Sequence, residues 1–342
     1  MTPVSSTPPG LGPHVVGQRV VVRRVLPGET GPTGGPAFTD VLGVMESWSG
    51  SEALVRTESG DLVTIRVADI VSGKPVPPRP SVRLRVPVEL AERRALASWP
   101  AQATEPLGEW VLRASGGYSG RANSVLAVGD PGLSFDGALA KVSDFYDARG
   151  LPPWAQLVVG SDQHAAFESA GWVFARPGEA DTLFQVVSVS SARRVVRRSL
   201  PTVVPALEVS SRVDDAWLAD DTRALAHREA AVAILEGPAE VGFVSVTDPG
   251  SDVVVAKGRV ARGAGAVPGD EDWAGITNVW VSPSHRRRGL GTVVMGALLE
   301  WAAERGATTA YLQVRGDNPS ALAAYDRLGF VTHHAYRYLT TP

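Results

Sequence analysis

Short stretches in which hydrophobic and polar residues alternate fill the first part of the chain, and this period of two is typical of β-strands. The alternation predicts strands at Val15–Val25, Val41–Trp48, Ala53–Glu58 and Leu62–Val67, with Gly- and Pro-rich turns between them. Short strands joined by turns indicate a small antiparallel β-barrel, here assigned to residues 14–73. Residues 1–13 are rich in Pro, Ser, Thr and Gly and are expected to form a disordered tail.

In the middle of the chain, segments with the hydrophobic periodicity of helices alternate with segments that have the periodicity of strands. A proline-rich connector and a short helix at Leu90–Trp99 are predicted within residues 74–105. A lobe at residues 106–190 then contains the predicted elements Glu109–Ala114, Arg121–Val128, Ser134–Arg149, Trp154–Val159, Gln163–Ala170 and Thr182–Val189, in the order strand, strand, helix, strand, helix, strand. Residues 191–206 are expected to be a linker whose four arginines form a solvated or ion-paired surface.

A third set of alternating elements occupies residues 207–342. The pattern predicts helices at Asp214–Ala226, Thr292–Arg305 and Pro319–Leu328, and strands at Ala230–Glu236, Val241–Thr247, Val253–Ala261, Ala274–Val281, Ala310–Val314 and Phe330–Tyr338. The fold class is therefore expected to be α+β, with a small N-terminal β-barrel followed by two mixed α/β lobes.

Composition narrows the classes of function. The 342 residues carry a net charge of −3, so the chain offers no overall electrostatic attraction for nucleic acid or an anionic membrane. The absence of cysteine excludes disulfides, thiolate metal sites and a cysteine nucleophile. No signal peptide and no apolar run long enough to span a membrane are found, and no metal site is predicted. We therefore expect a cytoplasmic protein.

The strongest chemical signal lies between the strand ending at Val281 and the helix that follows it. Three arginines, Arg286, Arg287 and Arg288, lead into the turn Gly289-Leu290-Gly291-Thr292. Glycine adopts positive φ and has no Cβ, so backbone N–H groups in such a turn can approach a ligand closely. The first N–H groups of a helix lack intrahelical partners and carry the positive end of its dipole. This strand–turn–helix therefore predicts a phosphate-binding site.

The spacing Arg286-x-x-Gly289-x-Gly291 resembles the acetyl-CoA loop of the GNAT family of N-acetyltransferases. The string N-P-S-A-L-A-A-Y-D-R-L-G-F at Asn318–Phe330 also resembles that family. The resemblance implies acetyl-CoA as co-substrate, with its pyrophosphate in the loop. The cofactor-binding residues that it implies are Val279, Val281, Arg286, Arg287, Arg288, Gly289, Leu290, Gly291, Thr292, Asn318 and Tyr325.

The resemblance also implies catalytic roles. In GNAT enzymes the pantetheine arm lies in a wedge between two central strands, and Val279–Val281 would pair with it. A backbone N–H near Val281 would polarise the thioester carbonyl, and Tyr325 would protonate the leaving thiolate. Asn318 fits a plain helix N-cap as well as a cofactor contact. The general base stays open among Asp272, Asn278 acting through a water, and His285.

The other parts of the chain carry weaker signals. W-V-L-R-A-S-G-G at Trp110–Gly117 resembles the first half of tandem GNAT proteins, but Gly129-Asp130-Pro131-Gly132 precedes the next helix in place of an arginine–glycine loop. The acid at that position indicates a degenerate lobe, whereas the C-terminal lobe is expected to be intact. Residues 14–73 resemble the SH3-like barrel of some actinobacterial GNAT proteins, either a structural appendage or a docking module for a protein partner.

The sequence thus predicts an N-acetyltransferase that moves an acetyl group directly to a primary amine of unknown size, on a small molecule or on a protein. The alternative is a non-catalytic acyl-CoA-binding sensor or scaffold whose barrel docks a partner. A nucleic-acid-binding protein is disfavoured by the net negative charge and by the lack of a basic–aromatic pattern.

Overall fold

The computed structural model describes residues 10–32, 34–57, 60–76, 81–251 and 253–342. The chain divides into two compact units, residues 1–81 and 82–342. The strands of the first unit are β1 (Arg19–Thr30), β2 (Pro36–Trp48), β3 (Glu52–Thr57), β4 (Leu62–Arg66) and β5 (Ile70–Pro75). They pair antiparallel in the order β4-β3-β2-β1-β5 around a core that includes Val20, Met45 and Val55. In the described part of this unit no ladder joins β4 to β5, so the predicted closed barrel is not found.

The first unit differs from its predicted outline at both ends. Leu11 is buried in its core, so it belongs to the packed unit although the sequence predicts a tail up to residue 13. Val15, predicted to start a strand, is also buried there but ends the short 3-10 helix Pro13–Val15. Residues 1–9 of that tail lie outside the described ranges. At the other end, Lys74 and Pro75 pair with β1 as the end of β5 instead of starting a connector. Residues 77–80 of the predicted connector also lie outside the described ranges.

The second unit alternates helices and strands. Its helices are α1 (Val88–Ser98), α2 (Phe135–Asp147), α3 (Asp162–Ser169), α4 (Val189–Ser199), α5 (Asp215–Leu218), α6 (Thr222–Ala226), α7 (Arg228–Glu236), α8 (Leu290–Glu304) and α9 (Pro319–Arg327). Its strands are β6 (Ala103–Leu107), β7 (Trp110–Ala114), β8 (Val125–Leu126), β9 (Trp154–Val158), β10 (Val173–Phe174), β11 (Thr182–Ser188), β12 (Glu208–Ser210), β13 (Glu240–Thr247), β14 (Val254–Arg262), β15 (Trp273–Val281), β16 (Thr309–Arg315) and β17 (Val331–Thr340). Within the described ranges, no helix has the length and apolar character needed to cross a membrane.

These strands form one sheet with the order β12-β13-β14-β15-β16-β11-β17-β9-β8-β7-β6, and β10 pairs with the end of β17. Two parallel pairs, β15–β16 and β8–β9, are each connected through a helix, α8 in the first case and α2 in the second. Each helix covers its own core, the first around Val294 and Leu298 and the second around Val142 and Phe145. The expected mixed α/β architecture is confirmed.

Each of the two predicted lobes contributes its last strand to the half of the sheet that is otherwise formed by the other lobe. β11, predicted to end the lobe of residues 106–190, lies between β16 and β17 and pairs with β16 along its whole length. β17 in turn pairs with β9 from Tyr336 to Thr340. The two halves therefore share one continuous hydrogen-bonded sheet.

A buried polar network lies where the two halves join. Glu92 on α1 is 2% exposed, and its Oε1 lies 2.8 Å from His334 Nε2 on β17. Its Oε2 accepts a 2.9 Å hydrogen bond from Gln156 on β9, and Gln156 Oε1 accepts another of 2.9 Å from Arg113 on β7. Because buried polar groups need their partners, this network ties α1 to three strands at the seam.

Three elements differ from their sequence predictions. Residues 230–236 form part of α7 rather than a strand, because Ala231, Ile234 and Leu235 are buried at helical spacing. Residues 214–226 form two helices, because Asp221 Oδ1 accepts the Ala224 N–H at 2.9 Å and starts a new helix there. The strand predicted at residues 121–128 is reduced to β8, and the residues before it form a turn.

The two predicted linkers also contain regular structure. α4 occupies much of the linker at residues 191–206, with Ala192 and Val196 buried beside α8. Arg193 Nε on this helix binds Glu300 at 2.8 Å, which agrees with the predicted ion-paired surface. β6 lies across the predicted end of the first linker and pairs with β7.

Candidate active site

The parallel strands β15 and β16 separate halfway along their length. They pair from Trp273–Thr309 to Ile276–Leu312, and the pairing stops there although both strands continue. On its other edge, β15 stays paired with β14 as far as Ala256–Val281. A wedge-shaped cleft therefore opens between the C-terminal halves of β15 and β16.

A β-bulge distorts β15 at this cleft. Thr277 pairs with Arg259 and Trp280 with Lys257, so two residues of β15 oppose a single residue of β14. One of the two, Asn278, is in the left-handed region with φ of 54°. Non-glycine residues adopt this conformation at a cost, and such residues cluster at functional sites.

The amide of Val281 points into the cleft. Ser282 N–H donates to the Val255 carbonyl at 2.8 Å, which makes Ala256–Val281 a non-hydrogen-bonded antiparallel pair. The N–H and C=O of Val281 therefore point away from β14, towards β16. Arg286 Nε donates to that Val281 carbonyl at 3.2 Å. On this pairing the Val281 N–H is not donated to β14, and β16 no longer pairs with β15 at this point, so the N–H is left for a ligand in the cleft.

The loop after β15 exposes further N–H groups at the start of α8. Arg287 and Gly289 have φ of 59° and 81°, which turns the chain sharply into the helix. The Gly289 carbonyl accepts the N–H groups of Thr292 and Val293, and α8 has no side-chain N-cap. In the described part of the chain no acceptor binds the N–H groups of Leu290 and Gly291, as expected for the first turn of a helix.

Gly289 and Gly291 have different roles, although the sequence predicts a turn role for both. Gly289 combines positive φ with a tight environment, since a Cβ there would lie 3.3 Å from Pro201 Cγ. Gly291 does not have positive φ, and a Cβ there would meet only Val281 Cγ2, at 3.8 Å. Gly291 therefore keeps space open at the helix start. The side chains of Arg286, Arg287 and Arg288 are exposed around it.

Tyr325 and Asn318 lie on α9, which follows β16. The Tyr325 ring packs against Phe330, with centroids 5.6 Å apart, and borders the core under α8. Burial raises the pKa of Tyr325 to about 12, so its hydroxyl keeps its proton at neutral pH. Asn318 Oδ1 accepts the Ala321 N–H at 3.2 Å and the Ser320 hydroxyl at 3.0 Å. Asn318 is therefore the N-cap of α9, whatever else it contacts.

A cavity of about 540 Å³ opens beside the bulge. Its wall combines Trp99, which follows α1, and Tyr118 and Arg121, which lie between β7 and β8, with three residues of the other half: Asp220 between α5 and α6, Lys257 on β14 and Trp280 on β15. Cavities of this size hold small molecules or single side chains. Sequence analysis did not identify these residues, because they come from separate segments that only the tertiary structure brings together.

Lys257 lies buried on β14 beside this cavity. It is 2% exposed, forms an ion pair with Asp220 and donates to the Trp217 carbonyl. Its ammonium also lies 4.2 Å from the centroid of the Trp217 ring. The charge of Lys257 is therefore neutralised within the protein.

Arg259, two residues further on β14, is fully buried. Its guanidinium donates to the Leu235 carbonyl at 2.8 Å, the Ser98 carbonyl at 3.1 Å and the Thr277 hydroxyl at 3.3 Å, and no carboxylate contacts it among the described residues. Burial lowers the pKa of Arg259 to about 9, so it remains a cation at neutral pH. A positive charge thus lies directly beside the bulge.

The three candidate bases lie in different places. Asp272 is exposed before the first residue of β15, at the far end from the bulge. His285 lies in the loop after β15, with Nε2 3.5 Å from Asp248 Oδ1. Asn278 alone borders the cavity, and its buried Oδ1 has no hydrogen-bond partner among the described residues. Of the three, Asn278 is the one placed to act in the cavity.

In the loop between β8 and α2, side chains of the protein accept backbone N–H groups that a ligand could otherwise bind. Glu109 Oε2 accepts the Asp130 N–H at 2.8 Å, and Asp130 Oδ1 accepts the Gly132 N–H at 2.8 Å. Ser134 Oγ accepts the Gly137 N–H at 3.3 Å and caps α2. Two negative charges and a cap therefore lie where the loop before α8 has arginines and free N–H groups.

Two family profiles match the chain. The one described as "Probable histone acetyltransferase Rv0428c C-terminal" matches residues 88–339. The one described as "Rv0428c N-terminal Sm-like domain" matches residues 14–74. The N-terminal unit is therefore similar to an Sm-like domain, and the SH3-like prediction is not confirmed.

Individual proteins agree with these matches. The "Uncharacterized N-acetyltransferase YobR" of Bacillus subtilis is 30% identical over 252 residues, which cover 72% of this chain and 96% of that protein. The "Probable histone acetyltransferase Rv0428c" of Mycobacterium tuberculosis is 28% identical over 338 residues, which cover 97% of this chain and 95% of that protein. A solved structure of a "Tandem GNAT protein from the clavulanic acid biosynthesis pathway" has a TM-score of 0.50 at 14% identity, covering 64% of this chain and 74% of that chain. This last match shows a shared fold.

Proposed function

Because the chain belongs to the GNAT family and is an N-acetyltransferase, we propose that the cleft between β15 and β16 is its active site and that acetyl-CoA is the acetyl donor. The observation that carries this assignment is that three features lie together: the separated strands, the bulge at Asn278 and the uncapped start of α8. Separated strands leave backbone groups for an extended ligand, and an uncapped helix start binds phosphate.

The loop before α8 is proposed to hold the pyrophosphate of acetyl-CoA. The N–H groups of Leu290 and Gly291 supply donors, with the Thr292 hydroxyl beside them, and the helix dipole adds positive potential. Arg287 and Arg288 are exposed next to this start and can neutralise phosphate charge. Arg286 also holds the Val281 carbonyl, so one arginine links the loop to the strand that would pair with the pantetheine arm through Val279 and Val281.

The Val281 N–H is proposed to stabilise the oxyanion. As the amine nitrogen bonds to the thioester carbon, the carbonyl oxygen gains negative charge, which is lost again when the carbon–sulfur bond breaks. A fixed N–H donor at such an oxygen contributes about 3–4 kcal/mol to lowering the barrier. The buried cation of Arg259 beside the bulge favours the same charge.

The acceptor nitrogen loses two protons in the reaction, and the thiolate gains one. The first leaves the ammonium to give the neutral amine that attacks, and Asn278, which borders the cavity with a buried unpartnered oxygen, is proposed to position a water that accepts it. The protonated Tyr325 is proposed to supply the proton of the departing thiolate, and the second proton of the nitrogen, released as the amide forms, restores the Tyr325 hydroxyl. Asn318 is proposed to contact the cofactor only through the start of α9, because its side chain caps that helix.

The other parts of the chain are proposed to support this site. The half of the sheet around α2 would supply the acceptor wall through Trp99, Tyr118 and Arg121, without binding acetyl-CoA itself. The N-terminal unit, whose exposed apolar residues include Phe38 and Leu62, would dock a protein partner. The acceptor would be a primary amine of a small molecule or of a protein.

Calorimetric titration of the full chain with acetyl-CoA, followed by an assay of CoA release with a panel of primary amines, tests this function. We expect one binding site per chain and amine-dependent release of CoA. Two sites would show that the crossover through α2 also binds the donor. Binding without CoA release for any amine would support the sensor alternative, and absence of binding would overturn the assignment of the cleft.

A further inference from the structure

Arg121 and Arg223 line the cavity beside the bulge, and neither has an ion-pair partner among the described residues. The guanidinium of Arg121 lies 4.4 Å from the centroid of the Trp99 ring, while Arg223 is exposed and also lines an adjoining cavity of about 270 Å³. Other arginines of the same unit do reach acids, as in Arg337–Asp181 at 2.8 Å. Two cations at the cavity are therefore available to a ligand.

The two carboxylates of the cavity are already engaged. Asp220 forms an ion pair with the buried Lys257. Asp221 Oδ1 accepts the Ala224 N–H and caps α6. Asp220 is therefore paired with Lys257, and the one remaining carboxylate, Asp221, cannot offset the charges of both Arg121 and Arg223.

Arg259 increases the positive potential at the same place. Its guanidinium lies 5.2 Å from the centroid of the Trp99 ring that Arg121 also contacts. Like charges around one ring repel each other, and the repulsion is strong where water is excluded. An anion bound beside Trp99 would relieve this repulsion and pair with Arg121, so the arrangement is electrostatically incomplete without one.

We propose that the acceptor of this enzyme is a primary amine that also carries an anionic group, a carboxylate or a phosphate, and that Arg121 and Arg223 bind that group. This inference rests on the proposed function of the cleft. Trp99 and Trp280 would contact the apolar part of the acceptor, while its amine faces Asn278. A lysine-rich peptide is disfavoured, because its charges would meet unpaired arginines.

Binding can be measured without turnover, because Trp99 and Trp280 line the cavity and report on it by fluorescence. The full chain is titrated in the presence of CoA with two matched pairs of amines. L-phenylalanine against L-phenylalaninamide tests the carboxylate, and O-phosphoethanolamine against ethanolamine tests the phosphate. We expect the anionic member of at least one pair to bind tenfold or more tightly than its neutral partner, and the pair that shows this identifies the group.

Variants assign the effect to the arginines. Arg121→Gln and Arg223→Gln are each expected to remove most of the preference for the anionic member, and Arg121→Lys to retain part of it. Arg223 is exposed, so its replacement keeps the test valid even if Arg121→Gln fails to fold. Arg198→Gln, at an exposed position on α4, should change nothing.

Equal binding within both pairs, no binding of any of the four amines, a preference that survives Arg223→Gln, or tighter binding of an oligolysine peptide would each overturn the inference. Its failure is distinguishable from failure of the proposed function. If acetyl-CoA binds and neutral amines are acetylated as fast as anionic ones, only the inference fails. If acetyl-CoA does not bind, the proposed function fails, and the fluorescence titration still reports whether the arginines hold an anion.

Discussion

The sheet contains two strand–helix–strand crossovers, β15–α8–β16 and β8–α2–β9, which have the same connectivity but differ at the start of the helix. In the first, the strands separate after four residue pairs and the start of α8 has no side-chain cap. In the second, Glu109, Asp130 and Ser134 accept the N–H groups of the loop and of the helix start. The helix start is capped by a side chain of the protein in one crossover and has no side-chain cap in the other.

Under the proposed function, the strand–helix–strand fold does not by itself make an acetyl-CoA site. The proposed site requires that the loop leaves its N–H groups free and carries positive charge, and both requirements depend on a few side chains. A crossover that has lost them can still serve as a scaffold, since its own acids and cap satisfy the backbone.

The largest expected effect concerns the buried polar network around Glu92, which lies where the two halves of the sheet join. Glu92→Ala would leave His334 and Gln156 without their buried partner, so we expect a loss of about 3–5 kcal/mol in the free energy of unfolding. Urea unfolding followed by fluorescence and by circular dichroism measures it. The exposed Glu89, one turn earlier on α1, is the control, and its replacement by alanine should cost less than about 0.5 kcal/mol. Equal effects of the two replacements would show that the network does not join the halves.

The next effect concerns acetyl-CoA affinity. Gly291→Glu places a carboxylate at the open start of α8, where only Val281 lies within contact distance of the new Cβ. Two like charges about 4 Å apart repel by about 4 kcal/mol at an effective dielectric of 20, so we expect calorimetry to show affinity weaker by about 100-fold or more. The exposed Leu133 in the loop before α2 provides the matched control, because Leu133→Glu adds the same charge to the other crossover. A loss of affinity in that control instead would reverse the roles of the two crossovers.

A smaller effect is expected at Tyr325, which follows the open crossover. Tyr325→Phe removes the proposed proton donor, so kcat should fall about 10-fold while KM for acetyl-CoA stays within about twofold. Because the pKa of Tyr325 is raised to about 12, the hydroxyl is protonated throughout the usual assay range. The alkaline limb of the pH–rate profile should therefore be the same in the variant and the parent enzyme. An unchanged kcat would remove the acid role.

The smallest effect concerns the cap of the filled crossover. Ser134→Ala removes the hydroxyl that caps α2, so we expect a loss of about 1 kcal/mol in the free energy of unfolding. Acetyl-CoA affinity should be unchanged, because α2 is not part of the proposed donor site. Thermal unfolding and calorimetry on the same preparation measure both quantities. A change in affinity would show that this crossover takes part in binding.

Features that depend on neighbouring residues could be predicted from the sequence. The Arg286–Thr292 turn and the start of α9 at Asn318 are local, because glycine conformation and capping are decided within a few residues. α7 could not be distinguished from a strand in the same way. Its apolar run fits both periods, and burial of Ala231, Ile234 and Leu235 on one face decided the outcome.

By itself, the sequence determined the mixed α/β class and the acetyltransferase family, and it located the arginine–glycine turn that we propose binds phosphate, because these depend on periodicity and local motifs. The tertiary structure alone decided that β11 and β17 lie in each other's half of the sheet, and that Lys257 and Arg259 are buried beside the bulge. It also brought Trp99, Arg121 and Arg223 to one cavity. Strand pairing and burial join residues that are far apart in the chain, and no local pattern records which distant residues will meet.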